Sequence, residues 1–325
     1  MMYRNAWTVF RTTVTLVLVC VIALEVVCQA YFVILSRRIS AIRQSPIHYF
    51  EASDDPILVY RLARGKAISL ANRRLKINRY CIREDSDDLF PRHRRLAVLG
   101  DSVTFGIDLS QEDTITAVLQ RQVDVKVEHL KVLNFGVPGY GLTEMPEWLK
   151  TASGAYHPTD VIYLLNLNDF CRRDSIYEGA DNGLYRMYRR PLLMLPVFVG
   201  KAIYRYHKGA RLTSVEWYRW LYDGNRDWGF RQIKVIKKFA DDQGIRLWVA
   251  ILPAGVAYTP KGYALESEEA EISNYLRGVQ IRVIRLAAAL SPDCFDETDH
   301  LTKHGTEVAA EAIGEQCLKG SSPLH

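Results

Sequence analysis

The stretch Leu96-Ala97-Val98-Leu99-Gly100-Asp101-Ser102-Val103-Thr104-Phe105-Gly106 decides the fold. Its first four residues are a short apolar run closed by turn residues, which reads as a buried strand. A helix-like segment, Gln111 to Val123, follows. Ser102 therefore stands at the exit of a strand, where open α/β sheets bind their ligands. Taken alone, a serine in a Gly-Asp-Ser turn is as well explained as the cap of the next helix.

Three later segments change that balance: Asn134-Phe135-Gly136-Val137-Pro138-Gly139-Tyr140-Gly141, Asn166-Leu167-Asn168-Asp169 and His300-Leu301-Thr302-Lys303-His304-Gly305. In this order, the Gly-Asp-Ser turn and these segments resemble the four signature blocks of the SGNH (GDSL-like) hydrolases, over about Leu96 to Leu318. Each block is weak alone; four in order are a strong signal. The resemblance implies a flavodoxin-like three-layer α/β/α fold around a parallel sheet, a serine esterase chemistry and no cofactor or metal.

The chain around the blocks agrees with that fold class. Strands are expected at Leu96–Leu99, Lys131–Asn134, Asp160–Leu165 and Arg246–Pro253. Helices are expected at Thr143–Ser153, Phe230–Gln243, Glu266–Leu290 and Thr302–Leu318. Strands alternating with helices imply a parallel sheet covered on both faces. The segment 173–227 interrupts the rhythm with basic and aromatic residues around Pro191-Leu192-Leu193-Met194-Leu195-Pro196-Val197-Phe198-Val199. It reads either as a helical insert packed on the sheet or as a lid or interfacial segment; Pro196 argues against a long amphipathic helix there.

The chain has 325 residues, 48% hydrophobic, with a net charge of +5. Its basic residues are scattered, so nucleic acid is not implied. Six cysteines show no metal-ligand spacing. Thr12 to Leu35 is mostly apolar, broken by Glu25 and Gln29, and long enough for one transmembrane helix. We read it as an uncleaved anchor rather than a signal peptide cut near Ala30, because the apolar run continues through Tyr31-Phe32-Val33-Ile34-Leu35. Glu25 at bilayer depth calls for a partner helix or a proton. Basic residues flank both ends alike, so the positive-inside rule does not choose an orientation; the resemblance to membrane-anchored bacterial members implies a periplasmic or extracytoplasmic catalytic domain. The expected division is an anchor over 1–40, an extension over 41–95 that packs on the surface, and a hydrolase domain over 96–320. Within the extension, Asp55–Leu62 and Leu75–Tyr80 could be short strands, and Asp-Pro, Tyr-Arg-Leu and Ile-Asn elements resemble the lead-in of those anchored proteins.

Ester hydrolysis needs a nucleophile, a base and donors for the oxyanion. Ser102 is the candidate nucleophile, activated only if a base takes its proton. His300 is the candidate base, since an imidazole ordinarily titrates near neutrality; His304 is its rival. The family pattern Asp-x-x-His falls on Glu297 here, so Glu297 is the first choice to orient His300 and Asp296 the second. Asp299 should point elsewhere. The Ser102 N–H, the Gly139 N–H and the Asn168 side-chain amide match the family's oxyanion positions.

The expected activity is removal of acyl groups, acetyl foremost, from a carbohydrate or lipid-like ester. Passing the acyl group to a sugar hydroxyl would use the same residues. A dinucleotide-binding loop at Gly136–Gly141 is disfavoured, because the spacing is GxxGxG with a proline inside. A non-catalytic scaffold of the same fold remains the third class, since the acid departs from the pattern.

Overall fold

A computed structural model describes residues 2–41, 46–70, 73–86, 94–126, 130–172, 187–189, 191–210 and 214–319. A long helix α1 (Met2–Ala41) leads into two small antiparallel ribbons, β1 (Phe50–Ala52) with β2 (Tyr60–Leu62), and β3 (Ala67–Leu70) with β4 (Arg73–Lys76). Then come β5 (Arg94–Gly100), α2 (Ser102–Phe105), α3 (Ile115–Lys126), β6 (Leu130–Gly136), α4 (Met145–Tyr156) and β7 (Asp160–Asn166). After the insert helix α5 (Leu195–Ala210) and the long α6 (Ser214–Asp242) follow β8 (Arg246–Leu252), the short pair β9 (Tyr258–Thr259) and β10 (Gly262–Tyr263), α7 (Glu266–Gly278), β11 (Arg282–Arg285) and α8 (Lys303–Lys319).

The central sheet has the order β11-β8-β7-β5-β6, all parallel. Numbered by appearance within the sheet this is 2-1-3-4-5 read from β6, the flavodoxin-like doubly wound order. Alternation along the strands divides the core into two layers. Ala97, Leu99, Val161, Tyr163 and Leu165 face one side with α4, α6 and α7; Leu96, Val98, Ile162 and Leu164 face the other with α3 and α8. Strands buried on both faces read as unbroken apolar runs, which is why β7 was plain in the sequence.

One expected element is different. Glu266–Leu290 is not a single helix: it stops at Gly278, Gln280 adopts a φ of +59°, and Arg282–Arg285 becomes the fifth sheet strand. The β-branched residues Ile281, Val283 and Ile284 favour that outcome over helix. Elsewhere the expected helices shift only at their ends, and Phe230–Gln243 proves to be the second half of α6. Pro196 does not break α5, because it falls in the first turn, where its missing N–H costs no intrahelical bond. None of the six cysteines forms a disulfide.

The extension shares the core of the sheet: Tyr49, Tyr60, Leu62, Ile77 and Ile82 belong to the cluster that contains Leu99 and Phe105. Arg83 is 2% exposed and is its most consequential residue. Its guanidinium donates to the carbonyls of Phe105, Gly106 and Leu109 and to Gln111 Oε1, and lies 5.1 Å over the Phe105 ring. It thereby caps the carboxyl end of α2, where a cation and a planar fork of donors both fit. Arg83→Met should strand those carbonyls and cost ~2–4 kcal/mol in urea unfolding, with Arg83→Lys recovering little of it.

A second buried charge makes stability depend on pH. Glu269 on α7 is fully buried beside Tyr263, and Arg285 Nη2 lies 3.7 Å away. Burial raises its pKa to about 7 from an ordinary 4.5. The folded chain therefore keeps a proton that the unfolded chain loses, and stability falls as pH rises between those values. Glu269→Gln should gain about 3 kcal/mol relative to the parent on moving from pH 4 to pH 8, read as the shift in urea midpoint at each pH.

Candidate active site

Ser102 is the first residue of α2, directly after β5. Asp101 caps the helix by accepting from Val103 N at 2.9 Å, and Gly106 ends it with a φ of +74°. The turn is locked by contacts that leave no room for side chains. A Cβ on Gly136 would lie 2.2 Å from Phe105 N, and one on Gly100 would lie 2.1 Å from Thr104 Oγ1. Asn134 completes the support, donating to Thr104 O at 2.9 Å and accepting from Gly136 N at 2.9 Å.

The two loops expected to hold the oxyanion leave the same edge. Register places Gly100 beside Gly136, and Leu99 beside Tyr163. Gly139 has a φ of +83°, which a glycine adopts without strain. Its loop is clasped from the extension: Tyr60 Oη donates to Pro138 O at 2.9 Å, and Tyr140 Oη donates to Tyr60 O. After β7, Asn166 and Asp169 form a reciprocal capping box around Asn168. Asp169 also accepts from Tyr163 Oη at 3.0 Å, and its carbonyl accepts from Leu142 N at 3.0 Å, so the two loops are tied together. Asn168 Nδ2 makes one long contact, 3.4 Å to Asp101 Oδ2, and an amide nitrogen has a second donor to offer.

His300 arrives from the tight turn before α8. Its Nε2 lies 2.9 Å from Ser102 Oγ. Four segments far apart in sequence thus gather at the carboxyl edge of a 2-1-3-4-5 sheet, with a serine hydroxyl on an imidazole at their centre. This is the doubly wound arrangement that the resemblance to the SGNH (GDSL-like) hydrolases implies. His304, the rival base, is instead largely exposed on α8, 3.7 Å from Asp293.

The spacing points first to Glu297, but it is the second choice, Asp296, that the structure links to His300. Glu297 is exposed and is not among the groups bonded to His300. The turn points it outward, because His300 N and Thr298 N both donate to Asp296 Oδ1, at 3.1 and 2.8 Å, and draw the loop around Asp296. Between Asp296 and the imidazole stands Thr298: its Oγ1 is 2.7 Å from Asp296 Oδ1 and 2.7 Å from His300 Nδ1. Burial works against the Asp296 charge, but hydrogen bonds from the Thr298 hydroxyl and from the His300 and Thr298 N–H groups hold its pKa below the ordinary value. An ionised carboxylate only accepts, so the Thr298 hydroxyl donates to it. Thr298 Oγ1 must then accept from Nδ1–H, which leaves Nε2 bare to accept from Ser102. The chain of bonds fixes the tautomer a general base requires. Thr298 went unnoticed in the sequence, since no spacing rule points to a hydroxyl between an acid and a base.

Two further carboxylates flank the base. Asp108 Oδ2, on the loop after α2, is 3.8 Å from His300 Nδ1. Asp299 turns away, as expected: with a φ of +67° it accepts from Gly255 N, from Val256 N at 3.3 Å and from Tyr218 Oη at 2.8 Å. Burial raises its pKa, against the pull of those donors. Asp108, Asp296 and His300 bring ligand atoms within 4.8 Å of one another, but Asp296 Oδ1 and His300 Nδ1 are already engaged with Thr298.

No family model matches the chain, and no curated protein does. Solved structures of similar fold include the psychrotrophic esterase EstA from Pseudoalteromonas sp., at 14% identity over 70% of this chain and 98% of that one, TM-score 0.44. A member of the lipolytic protein G-D-S-L family from Veillonella parvula is similar at 12% identity over 70% and 99%, TM-score 0.44. The acetyl xylan esterase AlAXEase is similar at 11% identity over 69% and 99%, TM-score 0.45.

Proposed function

We propose that this chain is a membrane-anchored SGNH-type serine esterase that removes acyl groups, acetyl foremost, from a carbohydrate or lipid-like ester. The observation that carries the chemistry is the 2.9 Å approach of His300 Nε2 to Ser102 Oγ, with the imidazole tautomer set from behind by Thr298 and Asp296. In this reading His300 takes the Ser102 proton as Oγ attacks the ester carbonyl. The oxyanion meets the Ser102 N–H, the Gly139 N–H and the Asn168 amide. His300 returns the proton to the leaving alcohol, leaving an acyl-serine. Water, deprotonated by His300, then attacks the acyl carbonyl, and His300 returns that proton to Ser102 Oγ as the acid leaves. No metal or cofactor enters this scheme.

The anchor is α1, whose Ala6–Arg38 span is long and apolar enough to cross a bilayer. At ~1.5 Å per residue it exceeds the ~30 Å of hydrocarbon. Anchoring keeps the crevice near membrane lipids or envelope polysaccharide, the basis for the proposed substrate class and for an extracytoplasmic site.

A fluorophosphonate probe tests the chemistry: it should label the parent chain on Ser102 and leave Ser102→Ala unlabelled. Parent protein that hydrolyses no short acyl ester and takes no label would favour the scaffold reading. Acetyl transfer measured with and without a carbohydrate acceptor separates esterase from acyltransferase.

A further inference from the structure

The Glu25 problem raised by the sequence has an answer inside the chain. Glu25 Oε1 accepts from Met194 N and Oε2 from Leu195 N, both at 2.7 Å. Gln29 Nε2 donates to Glu25 Oε1 at 2.6 Å and to Leu192 O at 3.0 Å. The carboxylate thus satisfies backbone donors at the start of α5, where a helix leaves its N–H groups unpaired and favours negative charge. One turn further on, the Tyr31 and Phe198 rings meet with centroids 5.7 Å apart.

The surface around this joint is apolar. Leu192 is 91% exposed and Leu193 55%, and Val199, Ile203 and Tyr206 are exposed along α5. On α1, Leu18, Ile22 and Val26 are exposed as well. A patch of this kind marks a binding surface, and here it is continuous with a helix built to cross a membrane. Charge follows the same axis. Pro191 to Gly200 contains no ionisable residue, and Lys201 follows near the middle of α5. An apolar stretch ending in a cation matches acyl chains below and anionic headgroups above. On the landward side, Arg189 Nη1 donates to Pro56 O at 2.8 Å and Tyr188 Oη to Phe50 O at 3.1 Å, fastening the segment to the extension.

We propose that residues 191–206 are a second membrane element, a re-entrant hairpin that docks on α1 through Glu25 and buries Leu192 and Leu193 among lipid acyl chains. The inference rests on reading α1 as an anchor. It adds that the catalytic domain is clamped to the bilayer surface at two points and is not tethered by one helix alone. A non-helical tip at this depth is tolerated when its backbone groups find protein partners, which Glu25 and Gln29 supply.

The test uses the full chain in phosphatidylglycerol/phosphatidylcholine vesicles. Leu192→Cys and, separately, Lys238→Cys are placed in a Cys20→Ser, Cys28→Ser background and labelled with an environment-sensitive fluorophore; Lys238 is on the exposed face of α6. The probe at 192 should be quenched about twofold or more by lipids carrying a nitroxide on the acyl chain and be shielded from iodide. The probe at 238 should behave oppositely. Adding Glu25→Ala should move the 192 probe at least halfway to the aqueous response. An iodide-accessible 192 probe in a chain that stays with the vesicles through an alkaline wash overturns the hairpin while sparing the anchor. A chain released by the wash overturns both. A deep 192 probe that ignores Glu25→Ala overturns the docking.

Discussion

Ser102→Ala should lower turnover of a short acyl ester by roughly 10⁴-fold to 10⁶-fold while leaving the urea midpoint close to that of the parent. The side chain is half-buried and loses only one hydroxyl, so packing around α2 is preserved. His300→Ala should be as damaging, and the double variant no worse than either single one, because nucleophile and base act as a unit. Steady-state kinetics on the three variants decide the point. Parent-like rates in a folded Ser102→Ala protein would remove the serine from the mechanism, and a silent His300→Ala would remove the base.

The second large effect is expected behind the histidine. Asp296→Asn should cut kcat by about 10²-fold to 10⁴-fold, the upper figure being typical when a triad acid is lost and the tautomer goes wrong. Asp296 also accepts from His300 N and Thr298 N, so Asn retains one acceptor and the loop should keep its shape. Thr298→Val, which keeps the volume but breaks the relay, should fall by about 10-fold to 10²-fold, with Thr298→Ser recovering most of the loss. Glu297→Gln should be silent. A profile in which Glu297→Gln is the damaging change would restore the reading from spacing. If Asp296→Asn and Thr298→Val are silent but Asp108→Asn is not, the carboxylate 3.8 Å from Nδ1 holds the base instead.

The fold was legible because its signals are of the kind that sequence carries well. Unbroken apolar runs at Leu96–Leu99 and Asp160–Leu165 mark strands buried on both faces, and each is followed by a turn whose glycines or asparagines admit few alternatives. Ser102 and His300 were legible as partners because each lies in a recognisable block, Ser102 at the start of α2 and His300 in the turn before α8. β11 was missed since Gly278 and Gln280 interrupt a segment that otherwise continues the helical pattern, and the β-branched residues after them become a strand by pairing with β8. The choice between Glu297 and Asp296 turned on something more local. Whether residue 296 or 297 faces the imidazole depends on how a five-residue turn closes, with Asp299 at positive φ, and sequence spacing does not encode that closure. Arg83 was invisible as a support of the site because its partners are backbone carbonyls, which look alike in every sequence.

If α1 anchors the chain as proposed, the Arg83 clasp has a consequence for how the rest of the chain could be released from it. Within the chain, the extension comes between α1 and β5, so it resembles a disposable tether. Yet a protease cutting between Arg83 and Arg94 would sever the covalent link to the residue that closes the end of α2 and to the Tyr60 grip on Pro138. The fragment released would carry Ser102 and His300 but depend on a detached peptide to keep them in register. A cut just after Ala41 would instead free a fragment with the whole clasp attached. On the anchored reading, a fragment that keeps the whole clasp would have to begin upstream of the first ribbon.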